Sequence, residues 1–231
     1  MLTKNTDQLK QRVAEHVAAD SIIQGIYWDS KRLRGCFIGC LAHDADPSIN
    51  EATYGLPVAV QRIAENIFEA IPADEAKAFF AALPDAVGRD GKDLSKVHWQ
   101  FLAAELRSLP PQPDDIQAVI DPVIAGMDLL AQGLHWPAAA RAAAAAERAA
   151  AAAERAATAA DAAARAADAA AWAATAATAT ARAAAWAATA AAATAADAAA
   201  AWAAAWAATR LRQRDLLLQL IADAPVVERG Q

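Results

Sequence analysis

The chain has 231 residues, a formal net charge of −6 and a pI near 5.2. This acidic balance leaves no strong basic field to hold a nucleic-acid backbone or an anionic membrane surface, so we expect neither as a partner. Because 51 of the 72 residues at positions 138–209 are Ala, we predict a globular domain (1–137), an alanine-rich helical tract (138–222) and a C-terminal tail (223–231).

The sequence shows no targeting or membrane-spanning segment. The first residues lack the apolar stretch of a secretory signal, and a spanning helix needs about 20 mostly apolar residues. The uncharged runs of the alanine tract are cut short by Arg182 and Asp197. Two cysteines are too few for a disulfide framework and indicate reduced thiols or a metal site. We therefore expect a cytoplasmic protein.

The domain begins with an amphipathic helix. Residues 5–20 place Leu9, Val13 and Val17 four positions apart, which puts them on one helical face. The next segment, residues 24–38, has apolar residues on both sides of a polar Asp-Ser-Lys-Arg centre. That pattern favours one short β-hairpin.

Four further helices are predicted before the tract. They begin at Pro57, Asp74, Leu94 and Asp114, each followed by apolar residues at helical spacing. Pro122 kinks the last of them or starts it again. Together these patterns predict an all-α domain, interrupted at most by the hairpin.

The alanine tract is predicted to be helical throughout. Alanine has the highest helix propensity, and residues 138–222 contain no Gly, Pro or Asn. Larger side chains recur every seven residues, which implies a left-handed supercoil with a neighbouring helix; they are Glu147, Glu154, Asp161, Asp168, Thr175, Arg182 and Thr189. The tract is therefore one long helix or a helical hairpin of coiled-coil type, with a turn at 178–180 or 190–193.

Bare alanine flanks beside this stripe predict close helix packing. Small residues let helices approach closely, and a monomer rarely exposes such a large apolar surface. We expect the tract to fold back, to pack on the domain or to associate with a second copy or a partner protein. Four tryptophans are candidate interface anchors: Trp172, Trp186, Trp202 and Trp206.

The strongest candidate for chemistry is a cysteine-histidine segment. In a helix Cys36, Cys40 and His43 would share one face and could supply three ligands to zinc or iron, with His98 or His135 as a remote fourth. Two alternatives stay open. The cysteines could be small buried hydrophobic residues, or one could be a nucleophile activated by Arg34.

The same segment carries a resemblance. Gly35-Cys36-x-x-Gly39-Cys40-x-x-His43, the helix start Gly55-Leu56-Pro57 and an alanine-rich tail with Trp, Asp and Arg together resemble a group of uncharacterised alanine-rich bacterial proteins. The resemblance covers most of the chain and implies no particular activity.

Three functions follow from these patterns. The leading hypothesis is a non-enzymatic protein that self-associates through close-packed alanine-rich helices. The second is a metal-binding protein or enzyme built on Cys36, Cys40 and His43. The third is recognition of ice by an Ala/Thr helix, although only Thr178 and Thr189 show the expected eleven-residue interval.

Overall fold

The structure, a computed structural model, describes residues 1–136 and 181–227, without the side chains of residues 181–199 and 202. In this part of the chain it contains helices and one two-stranded hairpin, which confirms the predicted all-α fold. The helices are α1 Thr6–Ala18, α2 Phe37–Ala42, α3 Pro47–Tyr54, α4 Val58–Phe68, α5 Ala73–Val87, α6 Val97–Arg107, α7 Asp114–Ala131 and α8 Ala181–Ala222.

The hairpin lies where the sequence predicted it. Strand β1 (Trp28–Asp29) pairs antiparallel with β2 (Arg34–Gly35), with Trp28 opposite Gly35. The Asp29 carboxylate closes the turn, because its Oδ1 accepts hydrogen bonds from the backbone N–H groups of Lys31 and Arg32. An Asp at this position is typical of such turns.

An aromatic cluster forms the centre of the core. The ring of Phe37, the first residue of α2, lies 5.3 Å from that of Phe79 and 5.6 Å from that of Phe80, both on α5. Phe68 of α4 contributes a fourth ring at 6.1 Å. All four are essentially inaccessible to water. The core therefore holds α2, α4 and α5 together and fixes the loop between β2 and α2.

Three of the helices differ from the predicted elements. The short helices α2 and α3 were not predicted, although Asp46 and Pro47 form a regular helix start in which the Asp46 carboxylate accepts from Ser48 N–H at 2.9 Å. Helix α7 runs through Pro122 without restarting. No helix among the described residues is long and apolar enough to cross a membrane.

The chain divides into two compact units, and the division differs from the predicted one. One unit contains Met1–Trp136 and Trp206–Gln231, and the other contains Pro137–Ala205. The end of α8 belongs to the first unit because its composition changes from Ala to large aliphatic residues. Leu217 and Ile221 are completely buried in the core, where an alanine would leave space.

Lys92 holds the C-terminal end of α8 in place by hydrogen bonds. Its buried ammonium donates hydrogen bonds to the carbonyl oxygens of Ala86 at 2.9 Å, Ile221 at 3.2 Å and Ala222 at 2.6 Å. A cation suits this place, since the last carbonyls of a helix lack internal partners and carry partial negative charge. The chain then pairs with the Lys92 region, where Asp93 N–H donates to the Pro225 carbonyl at 2.8 Å. Part of the predicted tail is thus integral to the domain.

Candidate functional site

The two glycines of the cysteine-histidine segment have a packing role. A Cβ atom at Gly35 or at Gly39 would overlap the carbonyl oxygen of Tyr27, the residue just before β1. The backbone of the hairpin therefore crosses directly over α2, which only residues without a side chain permit. This contact explains the glycine spacing without any ligand.

Cys36 and Cys40 are free, buried thiols with protein partners. Cys36 precedes α2 and its Sγ lies 3.6 Å from Oε1 of Glu65, while Cys40 Sγ lies 3.1 Å from the Gly35 carbonyl oxygen. Burial raises the pKa of Cys36 to about 11 and that of Cys40 to about 12. Both groups are thiols at neutral pH, as expected for small buried hydrophobic residues.

The thiolate hypothesis finds no support at Cys36. A reactive cysteine needs nearby positive charge, but Glu65 and Glu69 are the charges that act on Cys36, and both raise its pKa. The predicted activator, Arg34, has its guanidinium 3.9 Å from the Asp29 carboxylate. Its charge is therefore already paired.

His43 belongs to a different cluster. It ends α2 in a left-handed conformation with φ of 56°, and its ring stacks on Trp28 at 4.3 Å with an interplanar angle of 8°. Its Nε2 lies 2.7 Å from Nη1 of Arg12 and 3.0 Å from Nε2 of His16. The same Arg12 nitrogen is 3.1 Å from His43 Nδ1.

Besides Arg12, the sequence analysis missed a second residue of this cluster, His16. It is buried on α1, and its Nδ1 lies 2.7 Å from the hydroxyl oxygen of Ser21. The signal was present, because His16 continues the face of Leu9 and Val13 at helical spacing. A polar residue on an otherwise apolar face indicates a buried hydrogen-bonding partner.

The pKa values of both histidines are lowered. Burial is the largest cause in each case, and the Arg12 guanidinium adds to it; each ring also lies close to Glu15, which acts in the opposite direction. For His16 the neighbouring His43 is a further lowering cause. At neutral pH the cluster therefore has two neutral imidazoles beside one permanent cation.

The predicted metal ligands do not converge in the described structure. His98 lies on α6, where its ring centroid is 4.3 Å from that of Trp99 and its Nδ1 is buried without a hydrogen-bond partner among the described residues. Within residues 1–136 and 181–227, no three His, Cys, Asp or Glu side chains are placed to hold a metal ion. Zinc or iron binding by Cys36, Cys40, His43 and His98 stays a prediction.

An open cleft of about 520 Å³ lies beside Cys36 and is lined by α4 and the segment before β1. Glu65 at its wall is paired with Arg62 at 2.8 Å, and Glu69 accepts a hydrogen bond from Gly25 N–H. Burial, reinforced by Glu65, raises the pKa of Glu69. The cleft thus contains one balanced ion pair and one further carboxyl group.

The predicted interface anchors lie on α8 or before it. Trp172 is outside the described residues, and the side chains of Trp186 and Trp202 are also outside them. Trp206 is 43% exposed, with the guanidinium of Arg210 4.4 Å from its ring centroid. Around Trp206 the alanines 200, 201, 203–205 and 208 are all exposed.

Comparison with protein-family models, with curated proteins and with solved structures gives no match. The resemblance to alanine-rich bacterial proteins therefore stays a prediction. Function has to be argued from the residues themselves.

Proposed function

We propose that this chain is a non-enzymatic protein that associates with a second copy of itself through the alanine face of α8 and the tract before it. The observation that carries the proposal is the exposure of all the alanines at 200–208 except the half-buried Ala207 in an isolated chain. A cytoplasmic location is part of the same proposal.

The first support is the length and continuity of α8. It runs for 42 residues, roughly 60 Å at the rise of an α-helix. It also continues through 190–193, one of the two positions considered for a turn; the other, 178–180, lies outside the described residues. At 200–208, where the side chains of this helix are described, the exposed methyl groups are neighbours along the helix rather than scattered atoms.

The second support is charge. Five Arg in residues 138–209 balance two Glu and three Asp, so the tract has no net charge. Two copies can therefore approach each other without the repulsion that a single-sign surface would cause. The seven-residue repeat adds the geometry that two supercoiled helices need.

Sedimentation mass tests the proposal. The wild-type chain should sediment above its 24.0 kDa monomer mass. The double variant Ala201→Glu, Ala205→Glu places two charges on one exposed side of α8 and should shift the mass towards the monomer, because charged groups are costly in a close helix interface.

A matched control is available on α1. Ala14→Glu, Ala18→Glu makes the same substitutions at the same spacing and at exposed positions of another helix, and it should keep the wild-type mass. A wild-type chain that is monomeric at every concentration would refute the proposal, as would equal effects of the two double variants.

A further inference from the structure

Another pocket, of about 280 Å³, lies where α4, α6 and the C-terminal part of α8 meet. Arg62 of α4 and Arg210 of α8 line it beside a wall of apolar side chains. The apolar residues are Ile63, Ile67, Phe101 and Leu102. Ligand pockets typically combine mostly apolar walls with a few polar groups, and this cavity has that composition. We call it the arginine pocket.

The charges of the two arginines are not equally balanced. Arg62 pairs with the Glu65 carboxylate at 2.8 Å. Arg210 instead donates from Nη1 to two neutral amides, at 2.8 Å to Asn66 Oδ1 and at 3.0 Å to Gln213 Oε1. Among the described residues no carboxylate lies within ion-pair distance of Arg210. Its positive charge therefore has no direct counter-charge.

The carboxylate of Glu105 on α6 is engaged by other residues. It accepts a hydrogen bond from Gln213 Nε2, and it lies 3.8 Å from the guanidinium of Arg212. Because Gln213 accepts from Arg210 and donates to Glu105, the orientation of its amide is fixed by both partners. An anion that reaches Arg210 therefore does not have to break an existing ion pair.

Arg210 also has an unused hydrogen-bonding edge. Its Nε is buried and has no acceptor among the described residues, and its two hydrogen bonds both come from Nη1. A buried donor without an acceptor is destabilising, so an orphaned atom of this kind indicates a missing partner. The Nε and Nη2 groups of a guanidinium donate in parallel and match the two oxygens of a carboxylate. The edge that Arg210 leaves free is thus one that can hold a carboxylate.

We propose that the arginine pocket binds a small monocarboxylate with an apolar chain, whose carboxylate is held by Arg210 and whose chain lies on the apolar wall. A single negative charge fits best, because Arg62, Arg210 and Arg212 exceed Glu65 and Glu105 by one charge. The volume suits a ligand smaller than a typical drug molecule. This site does not rest on the self-association proposed above.

The experiment titrates the full chain with octanoate and follows it by NMR. One octanoate should bind per chain, with saturable amide shifts at residues 62–67, 101–102 and 210–213. The Nε–H proton of Arg210 should move downfield as it gains an acceptor. Octanol has the chain without the carboxylate and should bind about tenfold more weakly or less, because it cannot form the charge-assisted pair. Inorganic phosphate, an anion without an apolar chain, should also bind more weakly.

Two variants test the role of the guanidinium. Arg210→Gln should weaken octanoate binding about tenfold or more. Arg210→Lys keeps the charge but loses the paired donors, so its affinity should lie between those of the other two chains. The matched control is Arg32→Gln, which removes the same charge from the exposed turn of the hairpin and should leave the affinity unchanged.

The titration of the wild-type chain remains decisive even if an Arg210 variant fails to fold. If a water molecule alone satisfies Arg210 Nε, octanoate will produce no saturable shifts, and that result would overturn the proposal. Saturable binding that is equally strong in Arg210→Gln would do the same. Octanol or phosphate that binds as tightly as octanoate would contradict the assigned class of ligand.

Discussion

Two segments of helix α8, the alanine segment (200–208) and the docked segment (211–222), share one backbone conformation and differ in what their side chains touch. In the alanine segment all alanines except the half-buried Ala207 are exposed, whereas Leu217 and Ile221 of the docked segment are buried in the core of the domain. Helix formation needs only residues of high propensity, but docking into a core needs side chains large enough to fill it. The comparison indicates that one helix can have two sources of stability, local propensity in the alanine segment and tertiary packing in the docked segment.

The substitution with the largest expected effect on stability is Leu217→Ala, which removes a completely buried side chain from the docked segment of α8. We expect the free energy of unfolding to fall by about 3 kcal/mol, measured by urea denaturation. Leu211→Ala removes the same atoms from a half-buried position of the same helix and should lower the free energy of unfolding by less. Equal losses would mean that burial does not distinguish the two positions.

A smaller decrease in the free energy of unfolding is expected when the hydrogen bonds from Lys92 to the C-terminal end of α8 are removed. Lys92→Met keeps an extended side chain but leaves the carbonyl oxygens of Ala86, Ile221 and Ala222 without this donor. Leaving buried acceptors unpaired should lower the unfolding free energy by about 2 kcal/mol in the same assay. Lys31→Met, at an exposed position, should leave it unchanged; a loss of similar size there would assign the effect to charge alone.

In the alanine segment of α8, Ala204→Gly tests helix propensity directly. Glycine in a helix interior costs about 1 kcal/mol relative to Ala, so amide exchange at 200–208 should accelerate about fivefold. Ala204→Gln keeps a good helix former and should have little effect at a protein concentration at which the chain is monomeric. If Gln accelerates amide exchange as much as Gly does, then packing and not helix propensity stabilises the alanine segment.

The smallest effect should come from Trp206, which lies within the alanine segment close to the docked one. Trp206→Leu removes the ring beside Arg210 and should lower the unfolding free energy by about 0.5 kcal/mol, the size of an exposed cation–π contact. Trp206→Phe should recover part of the loss. A cost as large as that of Leu217→Ala would instead identify Trp206 as a core residue.

Much of the fold could be predicted because its signals are local. Leu9 and Val13 of α1, the polar centre of the hairpin and the apolar spacing of α4 and α5 are all contained in short windows of sequence. Val17, predicted on the same face of α1, is instead exposed, and His16 is buried there. Helix α2 escaped because six residues are too few to show a helical period. The sequence analysis did not predict that Leu217 and Ile221 are part of the core. Composition shows where a segment is apolar, but it does not show which distant surface that segment packs against.

The candidate site was predicted only in part for the same reason. Cys36, Cys40 and His43 were grouped by their sequence spacing, but the structure gives each a different partner. The partners of His43 are 27 and 31 residues away on α1, a distance at which spacing carries no information. The glycines were informative in a way that spacing alone did not reveal, since Gly39 accommodates the Tyr27 carbonyl.

The burial of Leu217 and Ile221 also constrains the order in which the molecule can mature. A chain leaving the ribosome presents its N-terminal region first, and here that region lacks two core side chains until residues 217 and 221 have been made. The whole alanine tract is synthesised while the domain is still incomplete. Premature termination anywhere before residue 217 would therefore release a protein whose apolar core is partly exposed to water and prone to aggregate.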